Sequence, residues 1–200
     1  MTEVHIGRLV GASLHQAIGE WLPQRLDFYE NWLHSEGLRD GSIGVAPLMA
    51  VLGFLRTEGD GYGRVVERAG QLSAEWSLMS LSPMRQRIIR LLPRRLRVRA
   101  ALRVAAEISE TAGSRSRFIV EGRGKSARVK VTASVFCQVR GVQAAPLCGF
   151  YSALAVATLS HFGLPAVAQI DGCRAMGAEA CIIDLVLESA QPATETAVAA

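Results

Sequence analysis

The chain has 200 residues, 50% of them hydrophobic but only 6% aromatic, and a formal net charge of +4. That is enough apolar content for one real core in one domain. Four cysteines with no signal-peptide pattern ahead of them exclude a disulfide scaffold and suggest a reducing cytoplasm, and no stretch reaches the roughly 18 uninterrupted apolar residues of a membrane span.

Leu9, Val10, Leu14, Ile18 and Leu22 recur near helical spacing, which predicts a first helix over residues 7–22. Pro23 resets the chain, and a second helix is expected from Pro23 to His34, capped by Gly37. Gly7 and Gly11 have GxxxG spacing, but no apolar twenty-mer surrounds them, so they read as a close helix contact or as chance. The block VAPLMAVLGFL, from Val45, reads as a buried helix with Pro47 in its first turn. EGDGYG, from Glu58 to Gly63, is not GxGxxG and follows no strand, so it reads as a flexible turn. Val65, Val66, Ala69, Leu72, Trp76 and Met79 then form one stripe of a longer helix over Arg64–Leu81. Ser82 and Pro83 open the next helix as its cap and first residue.

The most charged segment follows. Between Arg85 and Arg103 there are eight arginines and no acid, against a net charge of +4 for the whole chain. Ile88, Ile89, Leu91, Leu92, Leu96, Val98 and Leu102 keep helical spacing around a break at Pro93. The segment is a basic amphipathic hairpin. Such a hairpin can rest on an anionic membrane, meet nucleic-acid phosphates, pair with ligand carboxylates, or show plain solvated faces. No aromatic interleaving or DNA-binding motif supports nucleic acid, so none is expected as a partner.

After Gly113 the period switches from 3.6 to 2. Strands are expected over Arg117–Val120 and Ala127–Phe136, and Cys137 ends the second. A helix from Leu147, apolar on nearly every face, should be buried, and Gly163-Leu164-Pro165 breaks it. Two more strands, around Val167 and Ile182, join through a turn at Gly177. The tail from Ser189 lacks periodicity and is expected to be disordered. The predicted class is α+β: a helical N-terminal half packed on a four-stranded antiparallel sheet, with a buried helix between strands two and three. Residues 1–112 are the helical part, 113–188 the α/β part of the same domain, and 189–200 the tail.

Three cysteines occupy joints of the last stretch: Cys148 at the helix start, Cys173 late in one strand and Cys181 early in the next. Three thiolates so placed could hold a tetrahedral zinc, which needs a fourth ligand. Period two puts Gln169, Asp171 and Cys173 on one strand face, making Asp171 the candidate. The plainer reading is three buried cysteines acting as small hydrophobes.

This stretch resembles the 4-vinyl-reductase domain, a relative of the small subunits of the TRAPP vesicle-tethering complex. The shared features are Cys148 opening a helix, C-x7-C from Cys173 to Cys181 across Gly177, and the closing strand IIDLVL. AGQLSAEW, RIIRLLPRRLRVRAALR and AGSRSRF extend the match toward bacteriochlorophyll 4-vinyl reductase-type proteins, over roughly Ala69 to Leu187. Zinc-binding members often carry a glutamate three residues before the second cysteine. Ile170, which cannot bind metal, stands there in this chain, so either Asp171 or Gln169 substitutes or the site is empty.

The resemblance implies a role in bacteriochlorophyll synthesis. Hydride delivery needs a carrier, yet no nicotinamide or flavin motif, phosphate loop or iron–sulfur run is present. The residues therefore suggest a binder, and the chain is left open as enzyme or accessory. The expected ligand is a tetrapyrrole of chlorophyllide type, its ring between helices and sheet and its carboxylate near Arg94, Arg95 and Arg97. The other readings are an effector-sensing small-molecule module and a TRAPP-like scaffold that dimerises. Homodimerisation and peripheral contact with an anionic membrane are the further partners considered.

Overall fold

The computed structural model describes residues 5–33, 43–112, 115–121 and 125–188, with 5–6, 43–44 and 115–121 described for backbone alone. The expected helix end at His34, the cap at Gly37, the switch point at Gly113 and the tail from Ser189 lie outside these residues.

Helices α1 (Arg8–Trp21), α2 (Leu26–Glu30) and α3 (Val45–Leu55) come first. A two-residue ribbon, β1 (His5–Ile6) with β2 (Ile43–Gly44), ties the entries to α1 and α3. The second helix is shorter than its apolar spacing suggested: Pro23–Arg25 form a 3-10 turn, and α2 is a single turn that buries Tyr29.

Helix α4 (Asp60–Ser80) is the central rod. It absorbs most of EGDGYG, which is a helix start and not a flexible turn. Gly59 supplies a positive φ of 59° before Asp60, and the Asp60 carboxylate suits the positive end of the helix. Tyr62 then anchors the turn by donating its hydroxyl to the Leu147 carbonyl at 3.0 Å. Helix α5 (Pro83–Leu91) begins with the Ser82 side chain accepting from Arg85 N at 3.2 Å, and Pro93 separates it from α6 (Arg94–Thr111).

The sheet runs in the order β3 (Arg115–Glu121), β4 (Ser126–Ala133), β6 (Cys181–Leu187), β5 (Ala166–Gly172), all antiparallel. Helix α7 (Gly149–His161) links β4 to β5. The three strands described with their side chains, β4, β6 and β5, bury one face and show the other to solvent. Val129, Val131, Ile183 and Leu185 point inward, and the Arg128–Asp184 pair lies on the open face at 2.6 Å.

The predicted architecture needs correction. Seven α-helices among the described residues make the chain helix-rich, and the N-terminal half does not lie on the sheet as one block. Among the described residues, α6 packs chiefly on β3 and α7 on β5; α4 packs behind α7, and α1 behind α4. The helix expected between strands two and three is α7, but the two strands it connects are not neighbours, because β6 inserts beside β4 and leaves β5 at the edge. Alternation alone indicates which residues face inward and carries no information about neighbour order. The α4–α7 crossing is close enough that a Cβ on Gly70 would stand 2.3 Å from the Phe150 carbonyl oxygen.

Candidate metal centre

The sulfurs of Cys137, Cys148, Cys173 and Cys181 all lie within 4.8 Å of one another, and all four residues are buried. Each comes from a different joint. Cys137 ends a 3-10 turn, Val135–Cys137, that follows β4. Cys148 is the residue before the first turn of α7. Cys173 follows β5 and opens the 3-10 turn Arg174–Met176, and Cys181 opens β6. Gly177, at φ 93°, closes the hairpin between the last two, while Ala178 N donates to the Cys173 carbonyl at 3.2 Å.

Neighbouring backbone holds the sulfurs in register. Leu147 N donates to Cys173 Sγ at 3.4 Å, and Gln143 N donates to the Ala175 carbonyl at 2.7 Å, pinning the approach to Cys148 onto the hairpin. From the helical half, Arg56 donates to the Phe136 carbonyl at 3.1 Å, one residue before Cys137. Tyr62 holds Leu147, one residue before Cys148. The hairpin and the rod are thus clamped together around the four thiols.

The donor set fits a tetrahedral thiolate metal site. Zinc–sulfur bonds of about 2.3 Å imply sulfur–sulfur separations near 3.8 Å; the Cys137 sulfur lies 3.6 Å from that of Cys173 and 3.5 Å from that of Cys181. Hydrogen bonding from Cys137, then Cys148 and Cys181, helped by Leu147 N–H, pulls the Cys173 thiol far down. The Cys181 thiol is also lowered, first by Cys137 and then by Cys148. Cys148 is pushed up by hydrogen bonding to Cys137, Cys173 and Cys181. The set is therefore polarised, with two sulfurs disposed to lose their protons. Soft thiolates select zinc or a comparable metal over hard cations.

Of the residues singled out in the sequence, Cys148, Cys173 and Cys181 meet. Asp171 does not join them: it is exposed on β5. The strand is irregular between Ile170 and Gly172, so counting in twos from Gln169 fails before it reaches Cys173. Cys137 takes the fourth corner instead. Its signal is arithmetic: four cysteines in the chain, three of them at joints of the last stretch, and the fourth on the inward parity of Val129 and Val131.

Arg94, Arg95 and Arg97 do not converge on one point. Arg94 donates to the Glu188 carbonyl at 2.6 Å and Arg97 to the Phe162 carbonyl at 3.5 Å, beyond the end of α7, whereas Arg95 is exposed. They line none of three clefts on the surface. One of about 660 Å³ opens beside Cys137, Arg140 and Arg174. A second, of about 550 Å³, runs over Arg56, Tyr62 and Glu67. The third, of about 730 Å³, lies between α1, α4 and α6, with Leu9, Trp76, Val104 and Ile108 as walls and Arg8 and Glu107 at its sides.

No protein-family model matches the chain, and no curated protein matches it. Among solved structures it is similar to the phenol-responsive sensory domain of the transcription activator PoxR, crystallised with phenol. The identity is 16% and the TM-score 0.49, over 72% of this chain and 74% of that one. A likeness of that size carries nothing about ligand or activity across to this chain. No helix among the described residues is long and apolar enough to cross a membrane.

Proposed function

We propose that the protein binds a small hydrophobic molecule and that a structural zinc holds its binding body together. The four-sulfur cluster carries this reading. Cys137, Cys148, Cys173 and Cys181 would be the ligands, and all four positions of a tetrahedral ion would be filled by the chain. A closed site of that kind supplies a crosslink and leaves no position for substrate. Its work is to lock the turn after β4, the start of α7 and the β5–β6 hairpin into one unit.

The cleft between α1, α4 and α6 supports the guest. Its volume of about 730 Å³ lies in the usual range for small-molecule sites, and mostly apolar walls with a few polar groups are their usual lining. Trp76 stands in it, inside the AGQLSAEW run that resembles bacteriochlorophyll 4-vinyl reductase-type proteins. That resemblance supports a tetrapyrrole intermediate as the guest. A more compact aromatic effector suits the same walls and would make the chain a sensing module.

Two measurements test the proposal. Metal analysis should find one zinc per chain, lost in Cys137→Ser and kept in Asp171→Asn. Zinc retained by Cys137→Ser would remove the four-sulfur site. Titration with a chlorophyllide-type pigment, and separately with simple phenols, should change tryptophan emission in a way that Trp76→Phe abolishes. No change with either class at micromolar concentration would remove the guest.

A further inference from the structure

Helix α5 is turned inside out relative to an ordinary surface helix. Its one buried side chain is Ile89. Gln86 also faces the body, donating to the Leu78 and Leu81 carbonyls at 2.9 and 3.0 Å. Met84, Ile88 and Leu91, at i, i+4 and i+7, share the side turned away from these anchors, and they are 75%, 56% and 77% exposed. Met79, before the helix, is 82% exposed, and Leu96, after Pro93, is 47% exposed. Exposed apolar side chains therefore recur from the end of α4 through α5 to the start of α6.

The arginines of this segment divide into two groups. Arg85 pairs with Glu107 at 2.7 Å. Arg90 meets His161 Nε2 at 3.3 Å, and Arg94 and Arg97 donate to carbonyls. Arg87, Arg95, Arg99 and Arg103 are exposed and have no partner among the described residues. Arg87 borders the α5 stripe. Arg95, Arg99 and Arg103 lie with Leu96 on the outward side of α6, away from the buried Val98, Ala101 and Leu102.

We infer that the α5–α6 hairpin is a docking surface for an anionic lipid membrane, lying in the interface plane with the exposed Met84, Ile88 and Leu91 of α5 among the acyl chain ends and Arg87, Arg95, Arg99 and Arg103 at headgroup phosphates. In-plane amphipathic helices bind by buried apolar area together with attraction of Lys and Arg to anionic lipid, and this hairpin exposes both kinds of side chain. The charge decides against a second copy as occupant. A two-fold pairing through this face would bring the same arginine rows together with no acid between residues 85 and 103 to answer them. A single acidic protein partner would match the arginines, yet the exposed aliphatic side chains of α5, with Arg87 beside them, fit a lipid surface better than a carboxylate-rich one.

Sedimentation of the full chain with vesicles tests this. Vesicles of equimolar phosphatidylglycerol and phosphatidylcholine should carry the protein down, and pure phosphatidylcholine should not. Raising the salt should release part of the bound protein, because exposed charges are screened within roughly 10 Å at 0.1 M. Each arginine replaced, in the series Arg87→Gln, Arg95→Gln, Arg99→Gln and Arg103→Gln, should weaken partitioning on the order of fivefold. Met84→Ser with Ile88→Ser should remove the fraction that survives high salt. All six positions are exposed, and unchanged circular dichroism confirms that the variants are folded. Protein left in the supernatant with anionic vesicles overturns the inference. So does equal sedimentation with neutral vesicles, or binding of polyglutamate without binding of vesicles.

Discussion

The β5–β6 hairpin and the α5–α6 hairpin use their reactive side chains in opposite ways. The strand hairpin turns Cys173 and Cys181 inward, where they meet Cys137 and Cys148 at full burial. The helical hairpin turns arginines and aliphatic groups outward, and anchors itself through Ile89 and Gln86. One is built from contacts the fold depends on, and the other leaves unused what the fold does not need. Substitutions at the first should therefore be felt as stability, and at the second as partner binding.

The largest effect is expected at the sulfurs. Cys173→Ser should lower stability by about 3 kcal/mol or more, because losing a ligand gives up metal-binding energy that is also folding energy. Thermal unfolding with and without a chelator measures it; a chelator-insensitive melting temperature in the parent chain would break the contrast. Next comes the crossing that carries the metal end. Gly70→Ala places a methyl against the Phe150 carbonyl, 2.3 Å from its oxygen, and should cost about 1–3 kcal/mol through forced separation of α4 and α7. A denaturant midpoint within error of the parent would show that the helices yield freely.

A smaller effect separates the two sheet faces. The Arg128 guanidinium, hydrogen-bonded at 2.6 Å, holds the Asp184 carboxyl below its ordinary value of 3.8. A carboxylate with a lowered pKa contributes fully above that ordinary value and loses the contribution as pH falls through its folded-state value. Asp184→Asn should therefore cost at most about 0.5 kcal/mol at neutral pH, given solvent screening of an exposed pair. The difference from the parent should vanish in acid, below the ordinary aspartate range. A difference that persists unchanged there would assign it to packing. The smallest effect belongs to the basic face: Arg99→Gln should leave stability within about 0.5 kcal/mol of the parent. A larger loss would mean that this arginine serves the fold.

Helix starts and stops were legible wherever a local signal sets them. Ser82-Pro83 opens α5, Pro93 ends it, and Gly163 lets α7 stop, because caps and prolines act over one turn. Cys148, Cys173 and Cys181 stood out because each marks the joint of an element. Cys137 reads as a strand end only, because its role depends on a 3-10 turn that no local pattern announces. The alternation that points to Asp171 is reset by one irregular residue in β5. The arginines are visible as a charge run, but which of them find partners among the described residues depends on segments distant in sequence, such as Glu107, His161 and Glu188.

Composition and periodicity by themselves determined that this chain mixes helices with an antiparallel hairpin set, that its basic charge is concentrated before residue 104, and that its cysteines sit at turns. Those properties depend on neighbours within a few residues. Tertiary structure alone decided that β6 sits between β4 and β5, that four sulfurs share one buried point, and that the apolar side of α5 faces water. Each of these is set by contacts between segments tens of residues apart, where the entropy lost in closing the loops is repaid only by the assembled core.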